Sequence, residues 1–286
     1  MSRPGLVSTS WLAEHLGDPR LRLLDASWYL PQARRDPRAE FRAGHLPGAL
    51  YFDLDAASDA TSPLPHMLPA ETHFTTYARS LGVSTGDWVV VYDGSGTNLS
   101  AARAWWMFRV FGHADVAVLD GGLGAWRHEG RALEQGDAIA MRPGNFTAHL
   151  EPGMVRDLEA VRKAVSSGAA QVVDTRSASR FTAAEPEPRA GLRGGHIPGS
   201  RHLHYAALVD TEGRLLQDDA LRALLAGAGV LGDPRPVIAS CGSGVSACGL
   251  VLALHALGRG DVAVYDGSWT EWGGRDDTPL ETGPAG

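Results

Sequence analysis

The feature that most constrains this chain is that it repeats itself. Leu23-Leu24-Asp25-Ala26-Ser27 is answered about 150 residues later by Val172-Val173-Asp174-Thr175-Arg176. Gly44-His45-Leu46-Pro47-Gly48 is answered by Gly195-His196-Ile197-Pro198-Gly199, Val89-Val90-Val91-Tyr92-Asp93 by Val237-Ile238-Ala239-Ser240-Cys241, and Asp120-Gly121 by Asp266-Gly267. The order is the same in both halves, so insertions between them amount to only a few residues. A chain of 286 residues is long enough for each half to bury its own core. Two domains of one kind are therefore expected.

Within each half, short β-branched runs alternate with segments of helical period. Strands separated by helices imply a parallel sheet flanked by helices, so the expected class is α/β. In the second half the pattern predicts helices at about 157–167, 218–228 and 245–257, and strands at about 171–174, 237–240 and 262–265. Pro143, Gly144, Pro152 and Gly153 interrupt the pattern between the halves. The expected division is a first domain over 1–140, a linker over 141–153 that would let the halves face each other across a cleft, and a second domain over 154–286.

Composition narrows the function classes. With 44% hydrophobic and 21% charged residues the chain reads as globular, and its net charge of -7 with dispersed arginines offers no nucleic-acid footprint. No segment approaches the ~20 apolar residues of a membrane span, and the start lacks a basic end followed by an apolar run. No membrane association is expected, and the cytoplasm is the expected compartment. The only cysteines are Cys241 and Cys248, too few for a disulfide framework or a structural zinc site. No metal or organic cofactor is expected.

Chemistry concentrates in Cys241-Gly242-Ser243-Gly244-Val245-Ser246, which follows a buried strand and opens a helix. Ligands of open α/β sheets bind beyond the carboxyl ends of strands. Small residues let successive backbone N–H groups turn inward, and the helix that follows adds the positive end of its dipole. Both favour an anion such as a cysteine thiolate. A free cysteine is more often a small buried hydrophobe, and Cys248, in the helix among Ala247, Leu250 and Val251, reads that way. The strand-to-turn position of Cys241 reads as a nucleophile.

These motifs, with Asp25-Ala26-Ser27-Trp28-Tyr29-Leu30 and Trp105-Trp106-Met107-Phe108-Arg109, resemble the tandem-domain rhodanese sulfurtransferases, and among them the mercaptopyruvate-using branch. The resemblance runs from about Val7 to Trp272. It implies two rhodanese-like domains of which only the second is catalytic, and Asp93 stands in the first half where Cys241 stands in the second. It implies that sulfur moves from 3-mercaptopyruvate through a Cys241 persulfide, released as pyruvate departs, to a thiol or cyanide acceptor, thioredoxin being one candidate thiol. Gly242, Gly244, Val245 and Ser246 would line the substrate loop. Ser246 replaces the usual Thr and keeps its hydroxyl.

Arg180 and Arg189, on either side of Glu185-Pro186-Glu187-Pro188, match the segment whose two arginines hold the donor carboxylate in that family. By residue type alone, two arginines in a polar loop are more often a solvated surface. Asp55 and His66 match residues that the family joins to the loop serine, here Ser243, as a proton relay. His45 and His196, present in both halves, read as structural. The segment Gly94–Ser100 is short and lacks the aromatic residue that the family pattern places before Ser100.

Three alternatives accompany this reading. Thiosulfate sulfurtransferases typically carry cationic residues directly after the cysteine, whereas Gly242 and Ser243 are neutral. A cysteine phosphatase would need Arg at position 247, where Ala247 stands. A non-enzymatic persulfide carrier would not need Arg180 and Arg189.

Overall fold

The computed structural model describes residues 4–140 and 142–285. Met141, the first residue of the expected linker, lies outside the described residues, as do 1–3 and 286. Contacts divide the chain into two units. The first comprises residues up to Ala60, Leu68–Glu151 and Asp210–Leu215; the second comprises Thr61–Met67, Pro152–Val209 and Leu216 onward. Each unit thus incorporates a short stretch of sequence from the opposite half of the chain.

In the first unit the strands β1 (Leu6–Val7), β2 (Leu21–Asp25), β3 (Leu50–Tyr51), β4 (Trp88–Tyr92) and β5 (Val116–Leu119) form a parallel sheet in the order β1-β5-β4-β2-β3. Helices α1 (Thr9–His15), α2 (Pro37–Ala43), α3 (Glu71–Ser80), α4 (Leu99–Val110) and α5 (Gly122–His128) connect and flank them. The second unit repeats the design. Strands β6 (Val155–Arg156), β7 (Gln171–Asp174), β8 (Arg201–His202), β9 (Val237–Ser240) and β10 (Val262–Tyr265) are ordered β6-β10-β9-β7-β8, again parallel. Its helices are α6 (Leu158–Ser167), α7 (Ala178–Phe181), α8 (Asp218–Gly227), α9 (Ala247–Ala256) and α10 (Ser268–Trp272).

The three strands expected in the second half have the observed bounds. The reason is that β7, β9 and β10 are buried at every residue, which is how a strand covered on both faces reads in sequence. Helix α6 starts where Asp157 accepts the Ala160 N–H at 2.8 Å, an N-cap that sequence displays directly. The last helix of the expected trio begins two residues later than read, because 241–246 form a loop rather than a first turn. Leu23, Tyr92, Leu119 and Trp126 anchor the first core; Val161, Ile238, Tyr265, Trp269 and Trp272 anchor the second.

The paired Gly-His-x-Pro-Gly turns have one job in both units. His45 Nδ1 donates to Phe41 O at 2.9 Å and His196 Nδ1 to Phe181 O at 2.9 Å, and each ring stacks on that phenylalanine, at 4.0 and 3.7 Å. Gly48 and Gly199, at φ +75° and +68°, turn their N–H groups onto Glu134 and Glu281. Both imidazoles are buried and serve the turn. Among the described residues, no helix is long and apolar enough to cross a membrane.

Candidate active site

In the second unit the chain leaves β7 towards β8 on one side and leaves β9 towards β10 on the other. The carboxyl ends of β7 and β9 therefore flank a switch in strand order, where open α/β sheets bind ligands. Cys241 is the first residue beyond β9 and is 2% exposed. The loop 241–246 is fastened by the segment after β10. Ser268 Oγ accepts the N–H groups of Cys241 (3.2 Å) and Gly244 (3.0 Å) while donating to Tyr265 O (2.8 Å). Cys241 O accepts the Trp269 N–H at 2.9 Å, and Gly242 O accepts both the N–H (2.9 Å) and the hydroxyl (2.6 Å) of Thr270.

That strap occupies part of the loop's backbone groups. Others are left: the N–H groups of Gly242, Ser243, Val245, Ser246 and Ala247 have no acceptor among the described residues. Gly244, at φ +76°, makes the reversal that lets N–H groups on either side of it converge. A run of converging backbone N–H groups at a helix start is an anion cradle. Val245 and Ser243 are buried, and Ser246 Oγ pairs with Thr175 Oγ1 at 3.0 Å, tying the cradle to the end of β7.

The first unit has the same cradle, already filled. Asp93 follows β4 as Cys241 follows β9, and its carboxylate is 1% exposed. Oδ1 accepts the N–H (2.8 Å) and hydroxyl (2.6 Å) of Ser95; Oδ2 accepts the N–H groups of Ser100 (2.9 Å) and Ala101 (2.8 Å) and the Ser100 hydroxyl (3.2 Å). The residues 210–215 that join this unit rest near it, with Asn98 Nδ2 donating to Gly213 O at 2.9 Å and the Leu215 N–H to Asp120 Oδ1 at 2.7 Å.

Of the residues singled out by sequence, His66 and Ser243 are brought together: His66 Nδ1 lies 3.0 Å from Ser243 Oγ, and both are buried. His66 belongs to the second unit despite its place in the first half, and holds a left-handed φ of +61°. Such a conformation is uncommon for a residue with a side chain. Asp55 lies in the first unit, exposed, in a turn where its own N–H donates to Asp53 Oδ1 at 3.1 Å.

Arg180 lies in the last turn of α7, and its guanidinium lies against the loop. A Cβ placed on Gly242 would sit 3.0 Å from Arg180 Nη2. Arg189 is half-buried in the turn that follows. Both Nε and Nη2 of Arg180 reach Glu187 Oε2, at 3.1 and 2.5 Å. The other oxygen of Glu187 receives Arg176 Nη1 at 2.5 Å, and Arg176 forms a two-pronged pair with Asp174 and donates to Gly195 O. Its guanidinium lies 4.4 Å from the Trp269 ring centroid. Burial pulls the Arg176 pKa down, but Asp174 and Glu187 offset this and hold it above the ordinary arginine value. Tyr205 stands nearby. Burial raises its phenol pKa, with Arg180 opposing and Cys241 reinforcing the shift.

Cys248 is fully buried in α9, its thiol donating to Gly244 O at 3.2 Å. Arg176, Glu187, Ser268 and Thr270 escaped the sequence reading. The signals were present: Arg176 replaces Ser27 of the first repeat, Glu187 lies between the two candidate arginines, and Ser268 directly follows the repeated Asp-Gly.

A model of the Rhodanese-like domain matches the chain twice, at residues 8–129 and 157–275. The 3-mercaptopyruvate sulfurtransferase of Rattus norvegicus is 46% identical, across 93% of this chain and 91% of its own length. The mitochondrial thiosulfate/3-mercaptopyruvate sulfurtransferase 1 of Arabidopsis thaliana is 43% identical, across 97% of this chain and 78% of its own. Among solved structures, SseA from Escherichia coli, a 3-mercaptopyruvate sulfotransferase, superposes with a TM-score of 0.85 at 43% identity, covering 93% of this chain and 99% of that one.

Proposed function

Because the chain belongs to the family of rhodanese-like domain proteins, we propose that it is a sulfurtransferase that takes sulfur from 3-mercaptopyruvate, carries it on Cys241 and releases pyruvate. The observation that carries this reading is the contrast between the two cradles: beside Cys241 the loop N–H groups have no acceptor among the described residues, whereas beside Asp93 a carboxylate takes their counterparts. Only the second unit then transfers sulfur.

The donor carboxylate rests on Arg180, with Arg189 as its second support, and this places the donor sulfur over the loop. The Cys241 thiolate attacks that sulfur. The new S–S bond forms as the C–S bond breaks, and the electron pair of that bond leaves on carbon as the enolate of pyruvate. A proton delivered to the enolate carbon through Ser243 and His66, with Asp55 as a further member of the relay, completes pyruvate. Splitting the transfer into two steps is the usual gain of covalent catalysis. The outer sulfur of the persulfide loses its proton and rests as an anion on the N–H groups of Gly242, Ser243, Val245, Ser246 and Ala247. A thiol or cyanide then attacks that sulfur and regenerates the Cys241 thiolate; thioredoxin is a thiol of suitable chemistry. Neither Cys241 nor Cys248 is in a disulfide, which suits a reducing compartment such as the cytoplasm.

The test compares Cys241→Ser with Cys248→Ser. Sulfur transfer from 3-mercaptopyruvate is expected to vanish in the first and to persist in the second, with one added sulfur found by mass spectrometry on the Cys241 peptide of the donor-treated parent. Sulfur on Cys248 would overturn the assignment. Thiosulfate, the rival donor, is assayed alongside. A neutral Gly242 and Ser243 leave its sulfite leaving group without the cation that would stabilise it. Turnover with either donor would exclude a stoichiometric persulfide carrier.

A further inference from the structure

Arg180 lies against the nucleophile loop, yet it is not a bare positive charge. We infer that Glu187 is the specificity-determining partner of Arg180, fixing the direction of its N–H fork and cancelling its charge, so that the site selects a monocarboxylate donor over a dianion. This inference rests on the mercaptopyruvate reading above.

The geometry separates the two effects. Glu187 Oε2 takes Nε–H and one N–H of Nη2. A guanidinium has five N–H groups, so the Nη1–Nη2 edge keeps three of them, arranged for two parallel bonds to a carboxylate. That is the edge nearest Gly242: the position of a Gly242 Cβ lies 3.0 Å from Nη2, 3.8 Å from Nη1 and 3.9 Å from Cζ. Glu187 itself cannot swing away, because its side chain is 1% exposed and its other oxygen is held by the fully buried Arg176, which is in turn paired with Asp174.

The charges of this cluster are two carboxylates and two guanidiniums, so it sums to zero. Only Arg180 retains contact with solvent, its side chain 17% exposed. What the donor meets at Arg180 is a directional fork whose own charge is balanced, with Arg189 standing outside this cluster. A planar carboxylate gains from the direction. A tetrahedral dianion, attracted chiefly by charge, gains much less. The neutral Gly242 and Ser243 leave that balance unchanged.

The experiment measures kcat and KM for 3-mercaptopyruvate and for thiosulfate, at low and high ionic strength, in the parent, Glu187→Gln and Glu187→Asp. Glu187→Gln removes the charge and frees the fork. Expected are a rise in the mercaptopyruvate KM of about tenfold with kcat within about twofold, a thiosulfate kcat/KM raised about three- to tenfold, and a steeper loss of thiosulfate activity with salt. Glu187→Asp keeps the charge but shortens the reach. It should raise the mercaptopyruvate KM by at least about threefold while leaving thiosulfate kinetics and their salt dependence as in the parent.

A folded Glu187→Gln protein with the parent's donor ratio and salt dependence would refute the inference. Should Glu187→Gln not fold, Glu187→Asp decides, since an unchanged mercaptopyruvate KM there would equally refute it. A parent enzyme that turns over no mercaptopyruvate would instead sink the proposed function, and the two failures are distinct.

Discussion

Asp93→Ala is the sharpest probe of the idea that both units carry one anion cradle. The substitution removes a buried carboxylate that accepts three backbone N–H groups and two hydroxyls. Two of those N–H groups, of Ser100 and Ala101, belong to the first turn of α4, so the carboxylate acts as a remote N-cap. Loss of a cap costs about 0.5–2 kcal/mol. The stranded N–H groups of Ser95, Ser100 and Ala101 add about 1–3 kcal/mol, because the hydroxyls can rotate but the backbone cannot. A total of about 1.5–5 kcal/mol at roughly 2–4 °C per kcal/mol predicts a fall in the melting temperature of the first unit of about 3–20 °C. Calorimetry, which can separate the transitions of two units, is the assay. The vacated cradle should then accept an external anion: sulfate in excess should restore more stability to the variant than to the parent, by the linkage between binding and folding. A melting temperature within about 1 °C of the parent, or equal responses to sulfate, would refute the view that Asp93 is the resident anion of this site.

Three further outcomes follow from the geometry. Ser268→Ala leaves the N–H groups of Cys241 and Gly244 without their shared acceptor, and should cost about 1–3 kcal/mol and slow persulfide formation in rapid-mixing assays; an unchanged rate would show that Trp269 and Thr270 hold the loop alone. Gly242→Ala places a methyl 3.0 Å from an Arg180 that Glu187 prevents from retreating, so the mercaptopyruvate KM should rise by about three- to tenfold with kcat retained, and unaltered kinetics would mean that the guanidinium yields. Burial raises the Asp25 pKa from 3.8 to about 6, against hydrogen bonds from Ser27 and Tyr92 that lower it. The folded state thus favours the protonated acid, a contribution fully present below pH ~4 and lost as pH rises through ~6. Asp25→Asn should therefore stabilise by up to about 3 kcal/mol at pH 7.5 and little at pH 4 in denaturant titrations, and an equal effect at both values would contradict this.

The chain's repeated segments were enough to read two α/β units, and the reason is burial. β7, β9 and β10 are covered on both faces, so their sequences are nearly unbroken apolar runs whose ends mark the strand ends. The place of Cys241 was legible for the same reason: a cysteine at the end of a buried strand, followed by glycines, is a local pattern. The duplicated His45 and His196 turns were legible as structural because a residue kept in both copies serves what the copies share.

Other parts of the site follow from contacts that sequence order conceals. Glu187 stands among prolines in a loop that reads as solvated, and only folding buries it between Arg176 and Arg180. Ser268 lies 27 residues from Cys241 and acts on it through one hydroxyl, a contact created by the adjacency of β9 and β10. His66 is the extreme case, 177 residues from Ser243 and assigned by sequence order to the first half, yet packed in the second unit. Sequence by itself determined the architecture and singled out Cys241 as the candidate nucleophile, because apolar periodicity, strand ends and glycine turns are properties of neighbouring residues. The tertiary structure decided what surrounds Cys241: which N–H groups of the loop keep no acceptor among the described residues, which carboxylate pairs with Arg180, and how closely His66 meets Ser243. Those depend on hydrogen bonds of about 3 Å that form only on folding, whether the partners are as near in sequence as Arg180 and Glu187 or as far as His66 and Ser243, and no local pattern encodes a distance of that kind.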